Sequence, residues 1–233
     1  MKIISNKILT SDQNNNLYFF DKSNGQNLKL IPTETITLKN KFQNNLSITS
    51  KNDLLFLNSY GSLYSINLDI MDINWFINLN QSLDLSKTNL FSGSKIINND
   101  TYIVVSSNNS SYILDSITGS IISKFNFSSI VKPIIQDNVV FFITRNNLLI
   151  AINLRNNKII YSLDINQQVA KFLNTRKKNL KFKNSMLLNN ELFIFLENSY
   201  VLKFNINGEL KKVYKLPSKI YTLPIIIDDS ILY

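Results

Sequence analysis

The densest cluster of residues able to bind a partner is the stretch RKKNLKFK, from Arg176 to Lys183. Its cations are Arg176, Lys177, Lys178, Lys181 and Lys183. Because guanidinium and ammonium groups attract carboxylates and phosphates, the stretch predicts a contact with an acidic protein surface or an anionic lipid headgroup. Nucleic acid is disfavoured, because beyond Phe182 no aromatic residues alternate with the cations to stack on bases. A solvated loop in a lysine-rich chain stays open as the alternative.

The sequence lacks the residue types on which most catalytic and metal-binding sites depend. The 233-residue chain has no Cys and no His, which excludes thiolate nucleophiles, disulfides, Cys or His metal ligands and a His general base. The stretch DQNNN at Asp12 places oxygen ligands as a calcium loop does, but it lacks the mid-loop Gly and the closing Glu, so we interpret it as a hairpin turn. We therefore predict no catalytic residue, no cofactor-binding residue and no metal ligand.

The charge balance alone is weak evidence for a partner. Lys and Arg number 25 against 16 Asp and Glu, a formal net charge of +9. Lys, Asn and Ile are all over-used, as codon bias in an AT-rich genome would produce. No apolar run approaches the roughly 18 to 20 residues that a transmembrane helix needs, and the N-terminal stretch has only short apolar pairs, unlike a signal peptide. We expect a soluble chain as given.

A short pattern recurs along the whole chain. Two apolar residues, a polar turn pair and a second apolar run occur in IISNKIL, ITSKNDLLFL, IINNDTYIVV, IIQDNVVFFI, LLNNELFIFL and IIIDDSILY. The second residues of the turn pairs are Lys7, Asn52, Asp100, Asn138, Asn190 and Asp229, separated by 45, 48, 38, 52 and 39 residues. This period of about 44 residues is typical of propeller blades.

Matching features follow each of the first five copies. A polar turn leads into a strand that ends in Asn or Asp, as in LYFFD, LYSIN, SYILD, LIAIN and VLKFN. A second turn follows, with Gly25, Gly119 and Gly208 at positions suited to positive φ, and then a last strand. Four short strands per copy predict a four-stranded antiparallel blade. The one helical pattern, QQVAKFL with Val169, Phe172 and Leu173, predicts a turn or two of helix between blades.

The expected fold class is therefore all-β, a β-propeller of four-stranded antiparallel blades with about five blades and part of a sixth in an incomplete ring. We predict a single propeller domain over 1–233, with blades near 1–44, 45–91, 92–130, 131–180 and 181–219 and a partial blade at 220–233. Because no spare strand is available to complete the sixth blade, we expect a fragment of a larger propeller. Tyr64, Tyr112 and Tyr200 are expected to pack between blades.

The units LYSINLDIMDINW and YILDSITGSII resemble the quinoprotein-type (PQQ-like) repeat, whose last strand carries a Trp. The Trp is kept at Trp75 and replaced by Ser123 and Tyr161 in the third and fourth copies. In such propellers the Trp packs between blades, so Tyr161 is expected to substitute for it and Ser123 to leave a looser contact.

The resemblance implies two functional classes. Quinone-dependent dehydrogenases of this type hold pyrroloquinoline quinone and calcium on a Trp platform, often with paired Cys, whereas this chain has one Trp and no Cys. The second class is the lipoprotein scaffold of the outer-membrane β-barrel assembly machinery (BamB-type), which is not an enzyme and binds other proteins. We favour a non-catalytic scaffold that binds a protein partner in outer-membrane assembly, without a cofactor.

The alternatives are a fragment of a quinone-dependent dehydrogenase and a cytoplasmic propeller adaptor. The scaffold hypothesis predicts the periplasmic face of the outer membrane, reached through a lipidated N-terminus that precedes the chain given, with peripheral membrane association. If Met1 is the native start, a cytoplasmic location is expected instead.

Overall fold

The computed structural model describes residues 1–35, 45–80, 91, 95–107, 109–220, 224–227 and 230–232, the side chains of 226–227 and 230–232 excepted. The chain divides into two compact units, Met1–Ser128 (the first unit) and Ser129–Tyr233 (the second unit), which are described separately below. The prediction of a single domain over 1–233 stays a prediction.

The first unit contains three four-stranded antiparallel sheets, here called blades 1 to 3, in which consecutive strands are neighbours. Blade 1 is formed by β1 (Lys2–Ile4), β2 (Lys7–Ser11), β3 (Leu17–Asp21) and β4 (Asn27–Ile31). Blade 2 is formed by β5 (Asn45–Ile48), β6 (Asp53–Leu57), β7 (Ser62–Asn67) and β8 (Asp72–Asn78). Blade 3 is formed by β9 (Ile97–Asn98), β10 (Tyr102–Ser106), β11 (Ser111–Asp115) and β12 (Ile121–Phe125).

The second unit contains two further sheets of the same order, blades 4 and 5, and a hairpin. Blade 4 is formed by β13 (Ile134–Gln136), β14 (Val139–Ile143), β15 (Leu148–Asn153) and β16 (Lys158–Asp164). A helix, α1 (Ile165–Phe172), follows it, and blade 5 is formed by β17 (Phe182–Leu188), β18 (Glu191–Leu196), β19 (Tyr200–Asn205) and β20 (Leu210–Lys215). The hairpin consists of β21 (Ile225–Ile227) and β22 (Ser230–Leu232). The all-β propeller architecture with four-stranded antiparallel blades is confirmed.

The turns form where the sequence predicts them. Gly25, Gly119 and Gly208 have φ values of 74°, 71° and 87° in the turns before the last strand of blades 1, 3 and 5. In blade 2 the same turn is completed by Met71, which reaches a φ of 56° although it carries a side chain. At Asp12 the DQNNN stretch is a hairpin turn, because both carboxylate oxygens accept hydrogen bonds from within the loop and from Tyr18. The predicted turn residue Asp229 lies outside the described residues.

Burial differs between the middle and outer strands of each blade. In blade 2 almost every side chain of β6 and β7 is buried, whereas most of β8 is exposed or half-buried. Blade 5 repeats this contrast between β18 and β20. Middle strands buried on both faces explain the unbroken apolar runs in the sequence, such as LLFL and FIFL. Burying one Leu or Phe side chain contributes about 1.5 to 3 kcal/mol to the free energy of folding.

Consecutive blades of one unit pack face to face. Blades 1 and 2 share a core that includes Leu9 and Phe19 from one side and Leu54 and Phe56 from the other. Tyr64 and Tyr112 are buried in the cores between blades 1 and 2 and between blades 2 and 3, and Tyr200 packs against the core of the second unit. The predicted packing of these tyrosines between blades is confirmed.

An aromatic residue on the outer strand marks two of these contacts, called here seam 2/3 and seam 4/5 after the blades they join. A Cβ added at Gly119 of blade 3 would lie 2.6 Å from Cδ2 of Trp75 in blade 2. A Cβ at Gly208 of blade 5 would lie 3.0 Å from Cε2 of Tyr161 in blade 4, and the Tyr161 hydroxyl donates a 3.0 Å hydrogen bond across the same seam to the carbonyl of Ile206. Tyr161 therefore takes the place of Trp75, as expected.

Candidate protein-binding site

The basic stretch lies in the link that joins blade 4 to blade 5, and α1 sets the direction of this link. Asp164 ends β16 and caps the helix, because its carboxylate accepts a 3.0 Å hydrogen bond from the backbone N–H of Gln167. Ile165 and Val169 are four residues apart and so lie on one side of the helix, which packs against the core of the second unit. The helix ends where Asn174 adopts a left-handed φ of 53°. The predicted short helix is confirmed.

The remainder of the link is held by hydrogen bonds to α1 and to the neighbouring turns. The backbone N–H of Leu180 donates to Oδ1 of the buried Asn166 at 3.2 Å, which ties the link back to the helix. Asn147 Nδ2 in the β14–β15 turn donates to Asn179 Oδ1 at 2.6 Å. The backbone N–H of Glu197 in blade 5 donates to the carbonyl of Lys181 at 3.0 Å. Both blades therefore position the basic stretch.

All five cations of the basic stretch are exposed, and two of them have a local partner. Lys177 Nζ lies 2.6 Å from Asp164 Oδ2, and Lys183 Nζ donates a hydrogen bond to the carbonyl of Ile220. Within the described parts of the chain, no salt bridge involves Arg176, Lys178 or Lys181. These three residues are called the cationic triplet below. They are exposed, on a link that is hydrogen-bonded to α1 and blade 5 on both sides of residues 176–178.

The ion pair at the start of α1 alters the titration of its carboxyl group. The hydrogen bond from Lys177 lowers the pKa of Asp164 below its ordinary value, and the N-cap hydrogen bond from Gln167 lowers it further. Asp164 is ionised at neutral pH, and its carboxylate partly offsets the charge of Lys177. The cationic triplet, not Lys177, carries the charge that a partner would encounter.

A small cavity opens beside the cationic triplet, between α1, the link and blade 5. Its volume is about 200 Å³, and Arg176 and Lys178 contribute to its lining. Seven apolar side chains also line it: Val169, Ala170, Leu173, Leu180, Leu196, Leu202 and Val213. Leu202 and Leu196 are fully buried, whereas Leu173 is 44% exposed. The cavity thus joins an apolar interior to a cationic rim.

The formal charge of the chain is concentrated in the unit that contains this site. The range 129–233 has 15 Lys and Arg against 7 Asp and Glu, a net charge of +8. The range 1–128 has 10 against 9, a net charge of +1. Basic residues occur along the whole sequence, but the net charge differs strongly between the two units. A surplus of this size attracts anionic partners to the second unit over several ångströms.

The first unit has a polar cluster at the matching link, after β4, but there the charge is satisfied. Glu34 Oε1 accepts a 2.7 Å hydrogen bond from the Ser62 hydroxyl, and Oε2 accepts from the Tyr64 hydroxyl at 2.7 Å and from Asn58 Nδ2 at 2.8 Å. Burial alone would raise the pKa of Glu34, but the hydrogen bonds outweigh it and the pKa lies below its ordinary value. This carboxylate joins blade 1 to blade 2.

The cavity is the part of the site that sequence reasoning missed. The pattern QQVAKFL suggested a helix, and Val169 is indeed buried, but Phe172 is 48% exposed. Leu196 and Leu202 come from the two middle strands of blade 5, so their arrangement around Val169 depends on how the helix packs. An apolar Leu180 between cations was the one local signal, because a purely solvated loop does not need it.

The described residues contain neither a cluster of metal ligands nor a helix able to span a membrane. No group of three or more Asp and Glu side chains in those ranges is arranged to hold a metal ion. No helix in the same part of the chain has the length and apolarity needed to cross a membrane.

Comparisons with known proteins bear on the fold. No protein-family model matches the chain, and no curated protein matches it either. Among solved structures the chain is similar to the crystal structure of BamB from Moraxella catarrhalis, with a TM-score of 0.57 and 9% sequence identity. The match covers 95% of this chain and 76% of that one. Because the identity is so low, the likeness extends to architecture, and this chain shares the β-propeller fold of that protein.

Proposed function

We propose that this chain is a non-catalytic β-propeller scaffold whose second unit binds an acidic segment of a protein partner. The observation that carries the proposal is the cationic triplet, which is exposed, free of salt bridges within the described residues and carried on a link that is hydrogen-bonded on both sides of residues 176–178. Loops on rigid blades are where propellers commonly present their binding residues. The net charge of +8 on this unit supports an anionic partner.

The cellular setting we propose is outer-membrane protein assembly on the periplasmic side. The quinoprotein-type repeat and the fold shared with BamB from Moraxella catarrhalis support this setting by analogy. Purification from the native cells followed by mass spectrometry of the N-terminus tests it. A lipid-bearing N-terminal residue supports the setting, and an unlipidated protein in the cytosolic fraction overturns it.

Binding is tested with a synthetic nine-residue peptide that has four Glu, four Asp and a central Ser. We expect the double substitution Arg176→Glu/Lys178→Glu to weaken binding about ten-fold at low salt, because two attractive charges become repulsive. The matched control is Arg155→Glu/Lys158→Glu, which makes the same charge change on two exposed residues of the same unit, one in the β15–β16 turn and one at the start of β16. We expect the control to change the dissociation constant less than about two-fold.

Three results would overturn the proposal. Equal loss in both double variants would mean that net charge alone attracts the peptide. Strong binding to vesicles of anionic phosphatidylglycerol, with none to the peptide, would assign the cationic triplet to a membrane surface. Quinone absorbance together with calcium-dependent dye reduction by the reconstituted protein would make the chain a dehydrogenase.

A further inference from the structure

We infer that the cavity beside the cationic triplet binds one apolar side chain of the partner, with carboxylates of the same segment on Arg176 and Lys178. This inference rests on the proposed function and specifies its ligand. The recognised segment is an acidic peptide with a single Leu, Ile or Phe between its Asp and Glu residues. The cavity and the cations act as one site because Arg176 and Lys178 are part of the cavity lining.

The size of the cavity selects a side chain as its occupant. Pockets for drug-sized ligands and cofactors have volumes of about 300 to 1,000 Å³, and this one has about 200 Å³. An engineered apolar cavity of about 150 Å³ is known to hold one benzene molecule. A Phe or Leu side chain therefore matches the available volume, whereas a larger organic ligand does not.

The chemistry of the lining selects an apolar group next to an anion. The walls from Val169, Leu196 and Leu202 offer no hydrogen bond, so a polar side chain placed there loses its hydration without compensation. Among the described residues no Asp or Glu lines the cavity, so none of them supplies a competing carboxylate to Arg176 and Lys178 there. Apolar anchors that fill a pocket, surrounded by charged contacts, are the usual arrangement of binding hot spots.

Polar groups at the rim suit a peptide in particular. Asn198, in the turn before β19, and Tyr200, the first residue of β19, are polar residues of the lining. Amide and hydroxyl groups of this kind hydrogen-bond the backbone N–H and C=O groups that accompany every peptide side chain. An isolated fatty acid would leave them without partners.

The test combines a change in the protein with a change in the peptide. Ala170 of α1 contributes to the lining, so Ala170→Leu places a larger apolar side chain inside the cavity and keeps a good helix former. The probes are the acidic nine-residue peptide with a central Ser and the same peptide with a central Phe. We expect the Phe peptide to bind the native protein about ten-fold more tightly, and Ala170→Leu to abolish this preference.

The matched control is Gln167→Leu, which adds a Leu to the exposed side of the same helix. It should leave the preference for the Phe peptide unchanged, and far-ultraviolet circular dichroism should show that both variants are folded. If both peptides bind the native protein equally, and the cationic triplet is still required, the inference fails while the proposed function stands. If neither peptide binds at low salt, the proposed function fails as well.

A second variant guards against misfolding of Ala170→Leu. Leu173→Ser removes an apolar wall from the partly exposed rim, where a polar side chain costs little folding free energy. It should lower affinity for the Phe peptide several-fold and leave affinity for the Ser peptide unchanged. An equal effect on both peptides would contradict the inference.

Discussion

The link after β4 and the link after β16 occupy the same place in the repeat, yet their charged residues have different surroundings. In the first unit, Glu34 at the link is enclosed by hydrogen bonds from Ser62, Tyr64 and Asn58. In the second unit, the link contains a helix, a cavity and cations that face solvent. In one link the charge joins two blades, and in the other link the charge is exposed to solvent.

Seam 2/3 of the first unit and seam 4/5 of the second unit, by contrast, are alike. Trp75 packs on Gly119 in seam 2/3, and Tyr161 packs on Gly208 in seam 4/5. The same aromatic-on-glycine packing thus recurs in both units, whereas the links after β4 and β16 differ. This division is expected of a scaffold, because rigid blades allow a loop to change without loss of the fold.

The seams should show the largest effect on stability. Gly119→Ala should destabilise the first unit by about 2 to 4 kcal/mol, because the new Cβ collides with Trp75 and the residue keeps a positive φ. Gly208→Ala should have a similar effect in the second unit, where Tyr161 and Leu163 are the obstacles. Urea unfolding, followed by tryptophan fluorescence for Gly119→Ala and by circular dichroism for Gly208→Ala, measures both.

Gly25→Ala is the matched control for the seams. Gly25 has the same turn position and a φ of 74°, but nothing lies within 4 Å of the added Cβ. It should cost only about 1 kcal/mol, the penalty of the left-handed backbone. Equal losses at Gly25 and Gly119 would mean that the backbone conformation alone, without the aromatic contact, explains the glycines.

The link of the first unit should respond to pH. The pKa of Glu34 is lowered in the folded protein, so its stabilisation is present above the unfolded pKa of about 4.3 and is lost as pH falls through the folded pKa. Glu34→Gln should reduce stability at pH 7 by about 1 to 2 kcal/mol, because three donors then face an amide. The difference between the two proteins should shrink as pH falls from 6 towards 3, as measured by urea unfolding at each pH.

Glu197→Gln, an exposed residue of the second unit, controls for the general loss of one negative charge. Its effect on stability should stay below about 0.5 kcal/mol throughout the pH series. A Glu34→Gln variant with the pH dependence of the native protein would contradict the structural role of this carboxylate.

The start of α1 should show the smallest effect. Asp164→Ala should destabilise the second unit by about 1 kcal/mol through loss of the helix N-cap. Lys177→Ala should cost about 0.5 kcal/mol or less, because the Lys177 side chain is 57% exposed and water screens the ion pair. Denaturant unfolding of both single variants and of the double variant gives the coupling energy. A larger loss for Lys177 than for Asp164 would show that the ion pair, not the cap, holds the helix.

Most of the fold was predictable, and the candidate site was predictable in part. The recurring turn pairs and glycines located the blades, because each blade repeats the same alternation of apolar strands and polar turns. The cations of the link were recognisable in the sequence as a basic stretch, but the sequence did not show which of them form a salt bridge. Lys177 reaches back thirteen residues to Asp164, and no local rule distinguishes it from Lys178 beside it.

The sequence by itself determined the strands, the turns and the class of the fold, because these depend on short-range preferences of apolar, polar and glycine residues. The tertiary structure alone decided which charges are satisfied and where an apolar space remains. Glu34 meets Tyr64 across thirty residues, and Val169 meets Leu202 across two elements of the second unit. Such contacts depend on how separate elements pack. They join residues that are far apart along the chain, so no local sequence pattern predicts them.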